Sequence, residues 1–531
     1  MIRIKTLELT NFKNIGQGRI TLSEVSSLDD LTKGSNIVGI YGQNGSGKTS
    51  FIEALSLLKT LMSGAALNEV VSEYIACGHD SLELAVEFFV AAGSDDDLRD
   101  YLWGATPIKP DHISYNCVYT VRIGIHAGKS PVPMVLTESL SAKDLAAGEK
   151  MHEICSWEVG IGQRATESST PRFAGVAQIP GILKDSSIDG WQYDLGSIAP
   201  TSRWRHVMAV DKTLGQRLVA VRNQSFQEGR SFIFSSGLIS FASELLTRPE
   251  AQLNKGASEA IKRVLIPTFN ISASCRLFAV KNMAVLPTSH QGVLPLDYLP
   301  LANHEGAHGD YTDNFMLIDI SRDLRPMNAQ SVSELERALD SINEIMTEIV
   351  PGLTISVKRL GKVAGPDGEV LETIDLMSVR GDASVPLRNE SEGIKKILSI
   401  VSLLADVHTD PAAFVGIDEF DSGIFEYLLG EILEAIAENG YGQLVFTAHN
   451  LRPLEVLPSA NIWFTTVSPD SRFTRASGVH GSNNLRRMYL REIRLGRKDE
   501  GIYVPTSPLR IDGALYEAGM AAREIQKETR D

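Results

Sequence analysis

Gly42-Gln43-Asn44-Gly45-Ser46-Gly47-Lys48-Thr49 sets three glycines, a lysine and a hydroxyl residue at the spacing with which a loop wraps phosphate groups. Glycines let successive backbone N–H groups turn toward phosphate oxygens, and a helix that starts at once adds positive potential from its N-terminus. Lys48 is placed to bridge the two outer phosphates of a nucleoside triphosphate, and Thr49 to set its hydroxyl on Mg²⁺. The expected cofactor-binding set is therefore Asn44, Gly45, Ser46, Gly47, Lys48, Thr49 and Ser50, with ATP and Mg²⁺ as ligands. The competing reading is a glycine turn that holds nothing.

Three further segments gain meaning beside that loop. Phe414-Val415-Gly416-Ile417-Asp418-Glu419 is an apolar strand that ends in two acids. Asp418 would hold the magnesium through water, and Glu419 would orient or deprotonate the attacking water. Alone, two such acids are more often a helix cap or a surface pair. Leu444 to Ala448 is another short apolar run, and it ends in His449, 31 residues after Asp418. Alone it reads as a satisfied histidine, whereas at the carboxyl end of a strand beside a nucleotide it can touch the outermost phosphate. Ser391-Glu392-Gly393 opens a helical run 27 residues before Asp418, offering a hydroxyl and unhindered N–H groups to an anion. Read blandly, it is a capped helix start.

In this order the motifs resemble Walker A (42–49), signature (391–396), Walker B (414–419) and switch histidine (449) of the ATP-binding-cassette heads in SMC and OLD-like ATPases. The opening Leu7-Glu8-Leu9-Thr10-Asn11-Phe12-Lys13-Asn14 also resembles their first strand. Lys48 and Ser391 stand 343 residues apart, far more than in transporter cassettes, so the head reads as split by an insertion. Ser391 to Lys396 and Asp421 look most like the OLD-like ATPases of prokaryotic anti-phage defence, including the ATPase subunits of PARIS and Septu-type systems. The resemblance covers about residues 1–90 and 330–495.

It implies Mg²⁺-dependent ATP hydrolysis with Glu419 and His449 catalytic, Thr49 and Asp418 on the metal, and Ser391 and Gly393 completing a nucleotide site. It further implies homodimeric ATP sites or a higher oligomer, and the role of sensor or scaffold subunit in a defence complex. The effector would be a separate protein, a nuclease, and the trigger a phage protein. Two other readings stay open: an SMC-like DNA repair or recombination ATPase, and an ATP-gated scaffold with little turnover. The chain departs from its relatives at Gly423-Ile424-Phe425-Glu426, where many read Gly-Leu-His-Pro, and no glutamine is assigned to a Q-loop. The 82 residues after His449 lack the Glu and DxD set of a TOPRIM nuclease, so the chain is not expected to be its own nuclease.

Period and punctuation say which elements position these groups. Ile2, Ile4, Leu7, Leu9 and Phe12 fit one strand and Asn36 to Tyr41 a second, while Phe51, Ile52, Leu55, Leu58 and Leu61 fit a helix. Leu82, Leu84, Val86 and Phe88 alternate, as do Val118, Thr120 and Arg122, which predicts an antiparallel sheet with the acidic loop Ser94 to Asp97 between them. Helices are expected near 238–247 and 256–265, followed by an irregular stretch from Pro295 to His308. Leu335 to Ile349 recurs at helical steps up to Pro351-Gly352, and a turn at Pro366-Asp367-Gly368 joins two strands.

The fold expected is α/β: a P-loop ATP-binding-cassette head split by a helical insertion, with an antiparallel β-subdomain. Its parts are 1–150, the first half of the head; 151–330, a largely helical lid or oligomerisation insertion; 331–480, the second half; and 481–531, a basic tail. In the tail, Arg486, Arg487, Arg491, Arg494, Arg497 and Lys498 oppose one acid, Glu492, as either a solvated face or a docking surface for protein or nucleic acid. A net charge of −15 argues against adhesion to nucleic acid over the whole surface. With no apolar run of membrane length and four dispersed cysteines expected to be reduced, no membrane partner is expected and a cytoplasmic location is.

Overall fold

Alternation at the start of the chain builds a hairpin, β1 (Ile2–Phe12) and β2 (Ile15–Thr21), where the sequence had shown one strand. The computed structural model describes residues 1–27, 30, 33–92, 113–127, 131–148, 150–158, 163–164, 185–188, 191–194, 204, 206–207, 212–246, 255–287, 298–302, 315–319, 326–365, 368–475, 485–495, 501–502 and 507–528. The hairpin is followed by β3 (Asn36–Tyr41) and α1 (Lys48–Ser63). Next come β4 (Ser81–Ala92), β5 (Ile113–Ala127), β6 (Pro131–Asp144) and β7 (His152–Glu158). They extend the hairpin into an antiparallel sheet of order β2-β1-β4-β5-β6-β7. Leu82, Leu84, Val86 and Phe88 face its core, together with Tyr115, Cys117, Tyr119, Val121 and Ile123 of β5. Val118, Thr120 and Arg122 lie on the half-buried opposite face.

Short strands β8 (Gln163–Arg164), β9 (Asp185–Ile188) and β10 (Trp191–Asp194) pair among themselves. Helices α2 (Lys212–Gln227), α3 (Ser236–Leu246), α4 (Lys255–Ala260), a π-turn (Ile261–Leu265) and α5 (Ile266–Lys281) then lie against α1 and the antiparallel sheet in one shared apolar core. The helix expected at 256–265 thus runs on to 281. Glu138 of β6, buried, ties the layers together by accepting from Tyr119 Oη (2.6 Å), Trp157 Nε1 (2.8 Å) and the Phe232 N–H (2.8 Å). Burial raises its pKa, against the hydrogen bonds it receives.

The segment expected as an insertion supplies strands to both sheets. β7 closes the antiparallel sheet, and β11 (Met283–Leu286) pairs in parallel with β17 (Phe414–Ile417) of the central sheet. Residues 298–302 of the stretch expected to be irregular form β12 (Tyr298–Ala302), paired with β13 (Phe315–Asp319). The rest of Pro295 to His308, the loop Ser94 to Asp97, Pro366, Asp367, Arg497 and Lys498 lie outside the described residues.

The amphipathic helix α6 (Ala329–Ile349) opens at Asn328, whose side chain accepts from the Ser331 N–H. It packs on β14 (Leu353–Ala364), which pairs with β15 (Val370–Arg380) and, through it, β16 (Ala383–Pro386). Then come α7 (Glu392–Thr409), β17, α8 (Glu426–Asn439), β18 (Gln443–Thr447), α9 (Pro453–Val456), β19 (Ile462–Thr465) and β20 (Phe473–Arg475). The central sheet has the order β11-β17-β18-β3-β19-β20, parallel except at β20. Helices α10 (Leu485–Leu495) and α11 (Pro508–Glu528) complete the described chain.

The α/β fold is therefore the expected one, with a P-loop head split in sequence beside an antiparallel β-subdomain. Among the described residues no helix is long and apolar enough to cross a membrane. All four cysteines are free thiols, with Cys117, Cys155 and Cys275 buried and Cys77 exposed.

Candidate nucleotide site

Strand β3 is buried along nearly its whole length between β18 and β19, which fixes where its last residue, Tyr41, releases the chain. The loop that follows turns at Gly45 (φ 75°) and Gly47 (φ 98°), backbone angles that a residue with a Cβ rarely adopts, and enters α1 at Lys48. Asn44 and Gly45 are exposed at the crest, and Ser46 and Thr49 are half-buried. The Lys48 ammonium is folded back onto its own loop, donating to the carbonyls of Gly42 (2.8 Å) and Gln43 (3.1 Å). Burial lowers its pKa, while the charges of Asp418, Glu419 and Asp421 oppose the shift.

The loop is braced from outside itself. Asn14 Nδ2 donates to the Gly45 carbonyl, and Asn14 Oδ1 accepts from the Ser50 hydroxyl (3.2 Å). Ser50 is thus tied to the same asparagine that holds Gly45. Thr465, at the end of β19, donates to Ser46 Oγ (2.6 Å). Buried Arg472 donates to the carbonyls of Asn14 and Thr466. Nothing in local spacing marks Thr465 or Arg472, because their partners lie far away in sequence.

On the neighbouring strands, Asp418 leaves β17 fully buried and Thr447 ends β18 beside it. The Thr447 hydroxyl donates to Asp418 Oδ1 and accepts from the Glu419 N–H (2.8 Å). One hydroxyl therefore fixes both acids; a polar residue ending the run Leu444 to Phe446 was the available sign of it. Glu419 itself is held at φ 48°, a left-handed conformation that costs a non-glycine residue about 1–3 kcal/mol. Asp421 Oδ2 accepts from the N–H groups of His449 (2.9 Å) and Asn450 (2.6 Å), which pins the turn that carries the exposed His449 side chain.

Ser391 caps α7, its hydroxyl oxygen accepting from the Ile394 N–H (3.4 Å), and is exposed. The preceding Glu390 is anchored to the β14–β16 sheet by Arg380 (2.7 Å) and Ser378. A Cβ at Gly393 would stand 2.3 Å from the Gly423 carbonyl oxygen, so a close approach within the chain already requires glycine there. Lys48, at the start of α1 after β3, and Asp418 and Glu419, after β17, thus lie at the same end of the parallel sheet with β18 between their strands, while Ser391 presents its hydroxyl at the surface.

The residues present fit a magnesium nucleotide. The loop offers backbone N–H groups at a helix start, Lys48 has only carbonyls to leave, and Asp418 is a buried carboxylate at the strand end. Among the described residues no group of three or more His, Cys, Asp or Glu side chains forms a metal cage of its own.

In the tail, Tyr489 stacks on Phe464 (centroids 5.1 Å apart) and meets the edge of Tyr41 (6.4 Å). Arg486 is paired with Glu455 (2.9 Å), which helps dock α10 on the head.

Residues 6–69 match a family model described as "AAA domain", and residues 242–455 match one described as "AAA domain, putative AbiEii toxin, Type IV TA system". Sheet order, loop and family matches define an α/β P-loop ATPase head assembled from two separated stretches. No curated protein matches the sequence. Among solved structures, the chain is similar to the SMC head domain from Thermotoga maritima, with 12% identity, 90% of this chain and 99% of that one covered, and a TM-score of 0.31. It is also similar to the Pyrococcus furiosus Smc head domain with an extended coiled coil bound to the C-terminal domain of ScpA, with 12% identity, 93% and 100% covered, and a TM-score of 0.34. The recombination mediator RecF bound to ATP gives 11% identity, 84% and 93% covered, and a TM-score of 0.28. Scores at this level add no argument to the sheet order itself.

Proposed function

We propose that this chain is a magnesium-dependent ATPase of the SMC- and OLD-like cassette type, whose ATP sites are completed between two copies. The observation that carries the reading is the placing of Lys48, Asp418 and Glu419 at one end of the parallel sheet, on either side of β18, together with the exposed, capped Ser391. In this reading Lys48 turns from the loop carbonyls to the phosphates, and Thr49 and Asp418 hold the magnesium. Glu419, fixed by Thr447, takes the proton of the attacking water. His449 contacts the outermost phosphate from a turn held by Asp421. Ser391 and the N–H groups of its helix act on the nucleotide of the other copy, which links ATP binding to assembly. Gly393 serves that face by letting α7 start close against Gly423.

The head works as the sensor or scaffold subunit of an anti-phage complex with a separate effector nuclease. The match of residues 242–455 to a model described in terms of a toxin–antitoxin system supports that setting. Head and tail form two parts of this machine, with 1–150, 331–480 and the strands β7 and β11 of the segment between them building the head, and 481–531 a docking extension.

Mixing tests the assembly. Lys48→Ala and Ser391→Arg chains, each inactive alone, should regain part of the ATPase activity together, because some mixed interfaces pair an intact loop with an intact signature. If both are folded and exchange subunits, and the mixture hydrolyses no more ATP than either alone, the shared-site reading is wrong. Hydrolysis that DNA stimulates and salt suppresses would instead favour a DNA-transaction ATPase.

A further inference from the structure

Lys396 is one turn into α7, five residues after Ser391, and is 1% exposed. Among the described residues no hydrogen-bond acceptor reaches its Nζ. Its helix packs against β17, which runs into Asp418, and the charges of Asp418, Glu419 and Asp421 act on it as they do on Lys48. Burial brings its pKa down to about 8, while the charges of the three acids oppose that shift. A buried ammonium without an acceptor costs several kcal/mol unless opposite charges compensate it. If this position only filled space, leucine or methionine would serve at no such cost. The start of the helix that carries it lies against the segment after the acids, where a Cβ at Gly423 would lie 3.2 Å from Gly393 Cα.

We propose that Lys396 is a positioning residue: its ammonium is the built-in counter-charge of the Walker B acids, holding the start of the signature helix against that segment and competing with magnesium for the same field. The proposal rests on the reading of Asp418 and Glu419 as the magnesium and water sites. Of the two ammonium groups that face the three acids, Lys48 is drawn away by phosphate, whereas Lys396 has no phosphate loop to join. The helix that presents Ser391 to a neighbour is thereby tied to the state of its own chain's acids.

The test is the magnesium concentration that half-saturates binding of a fluorescent ATP analogue to the full chain, for wild type, Lys396→Arg and Lys396→Met. Loss of the charge should lower that concentration at least about fivefold, since a like charge no longer repels the metal. Lys396→Arg should stay within about twofold of wild type, because the charge is kept. Loss of packing alone would leave the value unchanged or raise it, and either result in a folded Lys396→Met chain overturns the proposal. A wild-type chain that binds no magnesium nucleotide overturns the site reading and this proposal with it. If Lys396→Met does not fold, Lys396→Met/Glu419→Gln, which removes one charge of each sign, should fold and bind magnesium near the wild-type midpoint. If the double variant also fails to fold, Lys396 is a packing residue and the proposal is wrong.

Discussion

Replacing Gly393 with alanine separates the two halves of the proposed mechanism. The new Cβ would stand 2.3 Å from the Gly423 carbonyl oxygen, and that neighbour is backbone at φ 76°, unable to swing aside as a side chain could. Carbon–oxygen contacts settle at about 3.3–3.6 Å, so α7 and the segment after β17 must part by about 1 Å. Overpacking of this kind costs about 1–3 kcal/mol, offset in part by the 0.5–1 kcal/mol or so gained when glycine leaves a helix. The phosphate loop stands on β3 and α1, which this contact does not reach, so ATP affinity should change by no more than about twofold. A shift of about 1 Å at the signature should nevertheless slow hydrolysis on the order of 100-fold. Nucleotide titration, phosphate release and thermal melting on one preparation separate these effects. A folded Gly393→Ala chain that hydrolyses ATP within about twofold of wild type would refute the argument that this contact sets the signature helix.

Glu419→Gln should keep ATP binding while turnover falls about 10²–10⁴-fold, and near-normal phosphate release would remove Glu419 from the role of base. Thr447→Val removes the hydroxyl shared by Asp418 and Glu419 and leaves the Glu419 N–H without its acceptor, at about 1–3 kcal/mol. Its magnesium midpoint should rise with little change in metal-free ATP binding, and a midpoint equal to wild type would sink the idea. Glu138→Ala leaves Tyr119, Trp157 and the Phe232 N–H facing a void, so it should cost about 3–5 kcal/mol in denaturant unfolding. A loss below about 1 kcal/mol would show that these donors find other partners.

The chemistry-bearing windows were legible because each is local. Lys48, Ser391, Asp418 and His449 sit at the ends of short strands or the starts of helices whose period and punctuation can be read in a dozen residues. What surrounds them was not legible. β11 is four residues long and lies directly after a helix, so nothing in Met283 to Leu286 announces a partner 131 positions away at Phe414. Arg472 and Thr465 look like ordinary polar residues until the carbonyls and hydroxyl they serve are brought to them from the first fifty residues. Gly393 was expected to make room for a nucleotide, and the structure adds a demand for glycine from within the chain. Burial of Lys396 was equally hidden, since a charged residue in a helical run reads as solvent-facing.

The phosphate loop leaves the ribosome well before either strand that flanks β3, since both lie beyond residue 442. Gln443 makes the dependence explicit: its side-chain amide donates to the Ile4 carbonyl and accepts from the Ile4 N–H, both at 2.9 Å, so an early strand is fastened by a late residue. Pairings of such sequence separation form late and slowly, because a long loop must close before any contact rewards it. A growing chain therefore carries the motif long before it carries the site. Only a chain translated through β19 has the sheet on which the loop is held.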